Sequence, residues 1–396
     1  MALDLDRSKL ESVKVAVGVT FATNGLAYAG WLARAPAARA DLGLTSVGFG
    51  LLLLCLSVAA IAAIPLAGPL VQRVGPARAV LLGSVSVVCG LLCVATGTAL
   101  GSVPLAGAGL VLAGMGNSAW DVAMNVEGAD VERRLGRTVM PRFHAGFSLG
   151  TVIGAGISAG FAAAGVSLAV QLYLTAAGTA AVMLVVVRRF LPHPVVPAGE
   201  RRPASVRLAW RNPRILLIGL IMLGFGFTEG TANDWLAISL VDGYRASETV
   251  GAIGFGTFVT AMTLARLFGG HAIERWGRVT VLRLTAASAA VGLLLVVADV
   301  AVPLALAGAL LWGAGASLGF PIGMSSAADD PLRAAINVSV AGAIGYGAFL
   351  AGPPLVGFLA EQFGVLRAIL CVFGALAIGV AASGAARPLH TTTTGR

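Results

Sequence analysis

The feature that most limits what this chain can fold into is the rhythm of its apolar runs. Stretches of about 20 apolar residues alternate with short polar punctuation along nearly the whole length, and a helix of about that many residues spans a bilayer's hydrocarbon core. Twelve runs can be marked, at 14–35, 46–68, 79–99, 103–126, 142–164, 168–188, 214–238, 249–269, 280–299, 303–325, 335–358 and 364–386. Charged residues make up 11% of the chain and hydrophobic ones 57%. A soluble domain carries about 25% charged residues and could not cover its surface with this mixture. The 53 glycines suit close approach of helices in lipid. The expected fold is an all-α membrane protein with twelve transmembrane helices.

The net charge of +9 does not point to nucleic acid, because the basic residues form no stripe or arm. They fall between the apolar runs, as expected for loops on one side of a membrane. With both termini inside, the inner segments collect most of the arginines, among them Arg73, Arg78, Arg133, Arg134, Arg188, Arg189 and Arg275. The outer loops keep Arg34, Arg39, Arg245 and Arg367. An even number of spans satisfies this arrangement. It places the chain in the inner (cytoplasmic) membrane as a multi-pass protein, the first span being retained rather than cleaved as a signal.

Internal repetition divides the chain. GPLVQRVGPARAV, from Gly68 to Val80, parallels GHAIERWGRVTVL, from Gly270 to Leu282, and each follows the second span of its half. GMGNSAW, from Gly114, parallels GAGASLGF, from Gly313, in the fourth spans. The Pro- and Arg-rich stretch from Arg188 to Arg214 reads as a linker. The expected organisation is a cytoplasmic tail at 1–13, a six-helix bundle at 14–188, a cytoplasmic linker at 189–213, a second bundle at 214–386, pseudo-symmetric with the first, and a tail at 387–396. Two repeated halves around a mid-membrane site suit a secondary transporter that exposes the site to each side in turn.

Ionisable groups inside such spans single themselves out, since burying one costs about 2.5–3.5 kcal/mol on insertion scales. Asp121 is flanked by Asn117 and Asn125 at intervals of four, which puts all three on one helical stripe. Burial disfavours an ionised carboxyl, so Asp121 suits proton uptake and release. The competing reading is a polar cluster that glues helices together. His144, at the start of span five, is either a proton partner, as imidazole titrates near neutrality, or a cap on the helix end. Glu229 in span seven is a second coupling acid or a helix–helix tie. Asn24 and Tyr28 in span one, with Asn117, Asn125 and Asn233, are candidates for contact with a solute. Trp31 and Trp235 read as interfacial anchors, and Arg34 as a snorkelling edge charge. Residues Glu127 to Arg137 read as a solvated loop.

Other chemistries lack their residues. The sequence holds no phosphate-binding G-x-x-x-x-G-K-[ST], no H-E-x-x-H and no G-x-S-x-G. Cys55, Cys89, Cys93 and Cys371 lie in apolar runs, and no histidine or further cysteine completes a zinc set around Cys89 and Cys93. No enzyme activity, metal or cofactor is expected. The expected partners are a small-molecule solute, protons and the lipid bilayer, with no nucleic acid, for a monomer.

The loop pattern G-x-x-x-[DE]-R-x-G-R, present as GHAIERWGR from Gly270 to Arg278, resembles the signature of the major facilitator superfamily. The first-half copy departs from it, with Gln72 in place of the acid and Pro76 in place of the basic residue. WDVAMN (Trp120 to Asn125), RFHAGFSLG (Arg142 to Gly150) and GFGFTEGTANDW (Gly224 to Trp235) resemble stretches of spans four, five and seven in the fucose-permease-like proton symporters. The resemblance implies the major facilitator fold, proton-coupled uptake of a small polar solute such as a sugar, and a conformational gate at Arg73, Glu274 and Arg275. Efflux of amphipathic drug-like compounds is the alternative. Against it, span four lacks the arginine typical of drug antiporters, and span five has Gly154–Gly156 where they carry Gly-Pro. A membrane sensor that transports nothing is a third reading. It fits less well because only LHTTTTGR and a few residues before it follow the last run.

Overall fold

The computed structural model describes residues 7–44, 46–191, 206–246 and 248–389. The expected terminal tails and linker fall partly outside that range. The described residues hold helices and no strands. The long helices are α1 (Arg7–Leu32), α2 (Ser46–Val74), α3 (Pro76–Ala99), α4 (Val103–Leu135), α5 (Met140–Ala163) and α6 (Leu168–Val186), then α7 (Pro213–Ile238), α8 (Glu248–Trp276), α9 (Arg278–Val297), α10 (Val302–Ala327), α11 (Ala334–Phe363) and α12 (Val365–Ala386). Eleven of them are long and apolar enough to cross a membrane. The remaining long helix is α4, whose glycines and polar stripe lower its mean hydropathy. Helices α1–α6 form one compact unit and α7–α12 another.

Several helices outrun their apolar runs. α1 starts at Arg7 rather than residue 14, and α4 continues to Leu135. Hydropathy registers only the length in hydrocarbon, whereas backbone hydrogen bonding continues until a breaker intervenes. At the end of α4 that breaker is Gly136, at φ +63°.

The paired loop motifs prove to be single-residue turns. α2 runs to Val74 and α3 begins at Pro76; α8 runs to Trp276 and α9 begins at Arg278. The residues between, Gly75 and Gly277, have φ/ψ of +82°/159° and +77°/156°. That region is open essentially to glycine alone, so the two matched glycines are required by backbone geometry.

The matched glycines of the fourth helices have a packing role. A Cβ on Gly114 would lie 2.3 Å from the Leu56 carbonyl of α2, and one on Gly313 2.2 Å from the Phe258 carbonyl of α8. Gly116 and Gly315 face α3 and α9 in the same way, 2.6 Å from Gly83 O and 2.2 Å from Ala289 N. Each G-x-G therefore lets the fourth helix of its unit approach the second and third helices at backbone contact, the small-residue packing expected in lipid. Beside it, Ser118 Oγ donates to Ala60 O at 2.7 Å. Trp120 and Phe21 fill the first unit's core, and Trp312 and Phe258 the second's.

α10 differs from α4 in being interrupted. Its helical hydrogen bonding stops at Ala316 and resumes at Gly319. This frees backbone carbonyls in the interior of the second unit.

Candidate solute and proton site

In the first unit, the α4 stripe meets α1 and α5. Asp121 is 8% exposed and Asn125 is fully buried. The Asn125 amide donates from Nδ2 to the Asp121 carbonyl at 2.9 Å and to Asp121 Oδ1 at 3.3 Å. Its Oδ1 lies 3.2 Å from His144 Nε2 on α5. An amide oxygen only accepts, so His144 donates from a protonated Nε2. Asn125 thus joins a carboxyl to an imidazole through its two ends. Phe21 closes on His144 edge to face, with ring centroids 5.3 Å apart. One turn nearer the start of α4, Asn117 Oδ1 accepts from Asn24 Nδ2 of α1 at 3.0 Å.

Five of the expected residues therefore come together: Asn24, Asn117, Asp121, Asn125 and His144. Their chemistry suits one exchangeable proton. With that proton on either Asp121 or His144, the pair carries no net charge; without it, one negative charge remains in a poorly solvating interior. Tyr28, one turn beyond Asn24, is 41% exposed.

In the second unit, Glu229 of α7 pairs with Arg266 of α8, Nη2 to Oε2 at 2.8 Å. The side chains are 15% and 5% exposed, respectively. Arg266 Nε also donates to Ser317 O, at the interruption of α10, at 3.1 Å. Nearby, Phe320, Tyr346 and Phe349 form an aromatic cluster, with centroids 5.3–6.1 Å apart. Asn233, one turn past Glu229, is exposed.

The profile of the Major Facilitator Superfamily matches residues 15–241. The chain belongs to that superfamily. It is 33% identical to "Uncharacterized transporter y4wD" of Sinorhizobium fredii, over 92% of this chain and 95% of the relative. It is 32% identical to an uncharacterized MFS-type transporter of Yersinia pestis, over 94% and 95% of the two chains. Among solved structures, the fold is similar to FucP in its outward conformation, with a TM-score of 0.77 at 14% identity, covering 94% of this chain and 97% of that one. It is also similar to the proton:xylose symporter XylE, with a TM-score of 0.69 at 12% identity, covering 96% and 95%. This protein is thus a multi-pass membrane transporter of the superfamily and not an enzyme.

In the transporter, the expected gate residues Arg73, Glu274 and Arg275 are exposed on the last turns of α2 and α8, beside the glycine turns. A firmer anchor lies next to them. Asp329, just after α10, accepts from Arg278 Nη1 at 2.9 and 3.1 Å and from Arg214 Nη2 at 2.6 Å. Arg278 Nη2 also donates to Ser325 Oγ at 2.7 Å.

Three readings of the sequence need correction. Glu127 to Leu135 is helix rather than solvated loop. Glu127 is fully buried and Asp130 is 7% exposed. Glu127 Oε1 accepts from Leu191 N at 2.7 Å, while Asp130 pairs with Arg133 and Arg134. Hydrogen bonding and ion pairing make charge tolerable there. Arg34 does not snorkel freely: its Nη1 donates to Val166 O at 2.9 Å and Gln171 Oε1 at 3.1 Å. Trp31 and Trp235 are not interfacial anchors either. Trp31 is 3% exposed against Phe49, Trp235 packs against the second core, and both indole Nε1 atoms are buried without a hydrogen-bond partner.

Arg266 is the residue that sequence reasoning missed. Its signal was present, since a lone arginine in an apolar run is as conspicuous as Glu229 by the rule that intramembrane charges are expensive. Its counter-charge lies 37 positions away along the chain. Only the fold brings the two together.

Proposed function

We propose that this transporter couples inward movement of a proton to uptake of a small polar solute, such as a sugar, by alternating access. The observation that carries the reading is the Asn125 bridge between Asp121 and His144 in an apolar helix bundle. It joins two groups able to hold one proton and ties them to the stripe that also bears the Asn24–Asn117 pair. Asp121 is the main proton acceptor, His144 its partner and Glu229 the acid of the second unit. Asn24, Tyr28, Asn117, Asn125 and Asn233 meet the solute. Arg73, Glu274 and Arg275 act at the gate. Two fold neighbours, the fucose:proton symporter FucP and the proton:xylose symporter XylE, support proton-driven sugar uptake as chemistry that this fold can perform. The excess of arginine in alternate loops supports an inner-membrane location with both termini cytoplasmic. The protein acts as a monomer of two six-helix halves, 14–188 and 214–386, joined by the linker at 189–213.

The test is a thermal-shift screen of the purified protein against sugars, organic acids and common drugs, followed by reconstitution of the stabilised case in liposomes with an internal pH dye. Solute-dependent inward proton flux is expected. A stabilising solute that moves across without proton flux overturns the coupling. Increased dye sensitivity of a deletion strain would favour export over uptake.

A further inference from the structure

We infer that the second unit holds the solute on a stacking floor, the Phe349 ring with Asn233 and Asp234 at its rim, and that the solute is a sugar in its pyranose form. This rests on the proposed uptake of a small polar solute and narrows its class.

Phe349 lies at mid-length on α11 and leans on α7. A Cβ on Gly230 would come within 3.1 Å of Phe349 Cδ1, and one on Gly226 within 3.4 Å of its Cε2. Neither position carries a side chain, so the ring lies directly against the α7 backbone. Phe320 supports the ring from α10, and Tyr346 from one turn earlier on α11, each with its centroid 6.1 Å away. The interplanar angles are 53° and 39°, so neither neighbour stacks flat on Phe349. Phe320 is buried, whereas Phe349 keeps 37% of its surface open.

Gly226 and Gly230 belong to one row of α7, which runs on through Asn233 and Asp234. Both of these side chains are exposed. A charged group bared to hydrocarbon is costly, so this face of α7 meets water rather than lipid. The Phe349 ring lies on that same face.

The second unit thus sets an apolar ring beside a carboxylate and a carboxamide. The carboxylate accepts, and the carboxamide both donates and accepts. A solute that uses all three has a flat C–H face and hydroxyls around its edge. A pyranose has that form. Its axial C–H bonds point at the electron-rich face of the aromatic ring, and its equatorial hydroxyls reach sideways. Two neighbouring hydroxyls donate to the Asp234 oxygens, and another meets Asn233. An open-chain polyol has no fixed C–H face and must freeze several torsions to bind. A flat aromatic cation would use the ring and the carboxylate but not the carboxamide. Binding changes no covalent bond, and the coupled proton stays with Asp121.

The test reads the melting temperature of the purified full chain with D-glucose, D-galactose, L-fucose and D-xylose, each against the open-chain alcohol made by its reduction. The expected result is stabilisation by at least one of the sugars, with its alcohol bound about tenfold more weakly. Equal binding of the alcohol, stabilisation by none of the four sugars, or stabilisation by the aromatic cation ethidium alone overturns the inference. Proton flux with the stabilising sugar in liposomes is a separate readout: its absence overturns coupled uptake and leaves the pyranose site standing. Phe349→Leu keeps an apolar side chain without the ring and should weaken binding about two- to tenfold. Asp234→Asn keeps the shape, loses the charged acceptor and should weaken binding about fivefold. Phe358→Leu removes a ring that is 62% exposed on the same helix and should leave the affinity unchanged. Melting without sugar reports the folding of each variant, and the exposed Asp234 decides the matter if Phe349→Leu fails to fold. Parent affinity in Asp234→Asn and in a folded Phe349→Leu overturns the site.

Discussion

Replacing Asp121 by asparagine removes a proton-binding site with almost no change in shape. The asparagine keeps an Oδ1 acceptor for Asn125 Nδ2, which stands 3.3 Å from the present carboxylate oxygen. That contact passes from charge-assisted to neutral, a loss of about 1 kcal/mol. Burying an amide instead of a carboxylate at 8% exposure offsets part of it. The variant should therefore fold, with stability within about 1 kcal/mol of the parent. Transport should change far more. With the membrane potential clamped, one pH unit of gradient supplies about 1.4 kcal/mol per coupled proton, a tenfold accumulation of solute at equilibrium. Asp121→Asn should reduce that ratio to unity while solute exchange between equal pools continues. The assay compares pH-driven accumulation with counterflow in the same liposomes, using a solute selected by thermal shift. Tenfold accumulation by the variant would refute Asp121 as the proton site. Loss of counterflow together with accumulation would point instead to a structural or solute-binding part for this carboxyl.

Three further outcomes follow from the geometry. Asn125→Ala leaves Asp121 and His144 without their bridge and should cost about 1–3 kcal/mol, read as a lower melting temperature. Gly277→Ala places a side chain at φ +77° and ψ 156°, which should cost about 1–3 kcal/mol; an unchanged melting temperature would show that the turn relaxes. Glu229→Gln and Arg266→Gln should each destabilise by about 3–5 kcal/mol, because each removes one member of a buried ion pair, and the double substitution should cost clearly less than their sum. Additive losses in that double-mutant cycle would mean that the two side chains do not depend on each other for burial.

Much of the fold was legible along the chain because its determinants are one-dimensional. The hydrocarbon thickness sets a minimum apolar length, and each run of that length marks a helix. The matched glycines at Gly75 and Gly277, and at Gly114 and Gly313, were visible as repeats. The structure shows the reasons: a backbone conformation open essentially to glycine in the first pair, and backbone contact in the second. The α4 stripe was legible too, since residues four apart must share a face. Misreadings arose where hydropathy was taken as a guide to surroundings. Glu127 and Asp130 look like loop charges because they are charged, yet helix continuation and ion pairing bury them. Trp31 and Trp235 look like interfacial residues because of their positions, yet neighbouring helices cover their indoles.

What the sequence determined by itself is the set of spans, their repetition in two halves and the helical face that carries Asp121. These depend on spacing and on the transfer of apolar length into lipid, both of which can be read residue by residue. The tertiary structure alone decided the partners. Asn24 meets Asn117 across 93 positions, His144 meets Asn125 across 19, and Arg266 meets Glu229 across 37. The stability of a buried polar group depends on what lies within about 3 Å of it, and chain spacing does not encode that distance between separate helices.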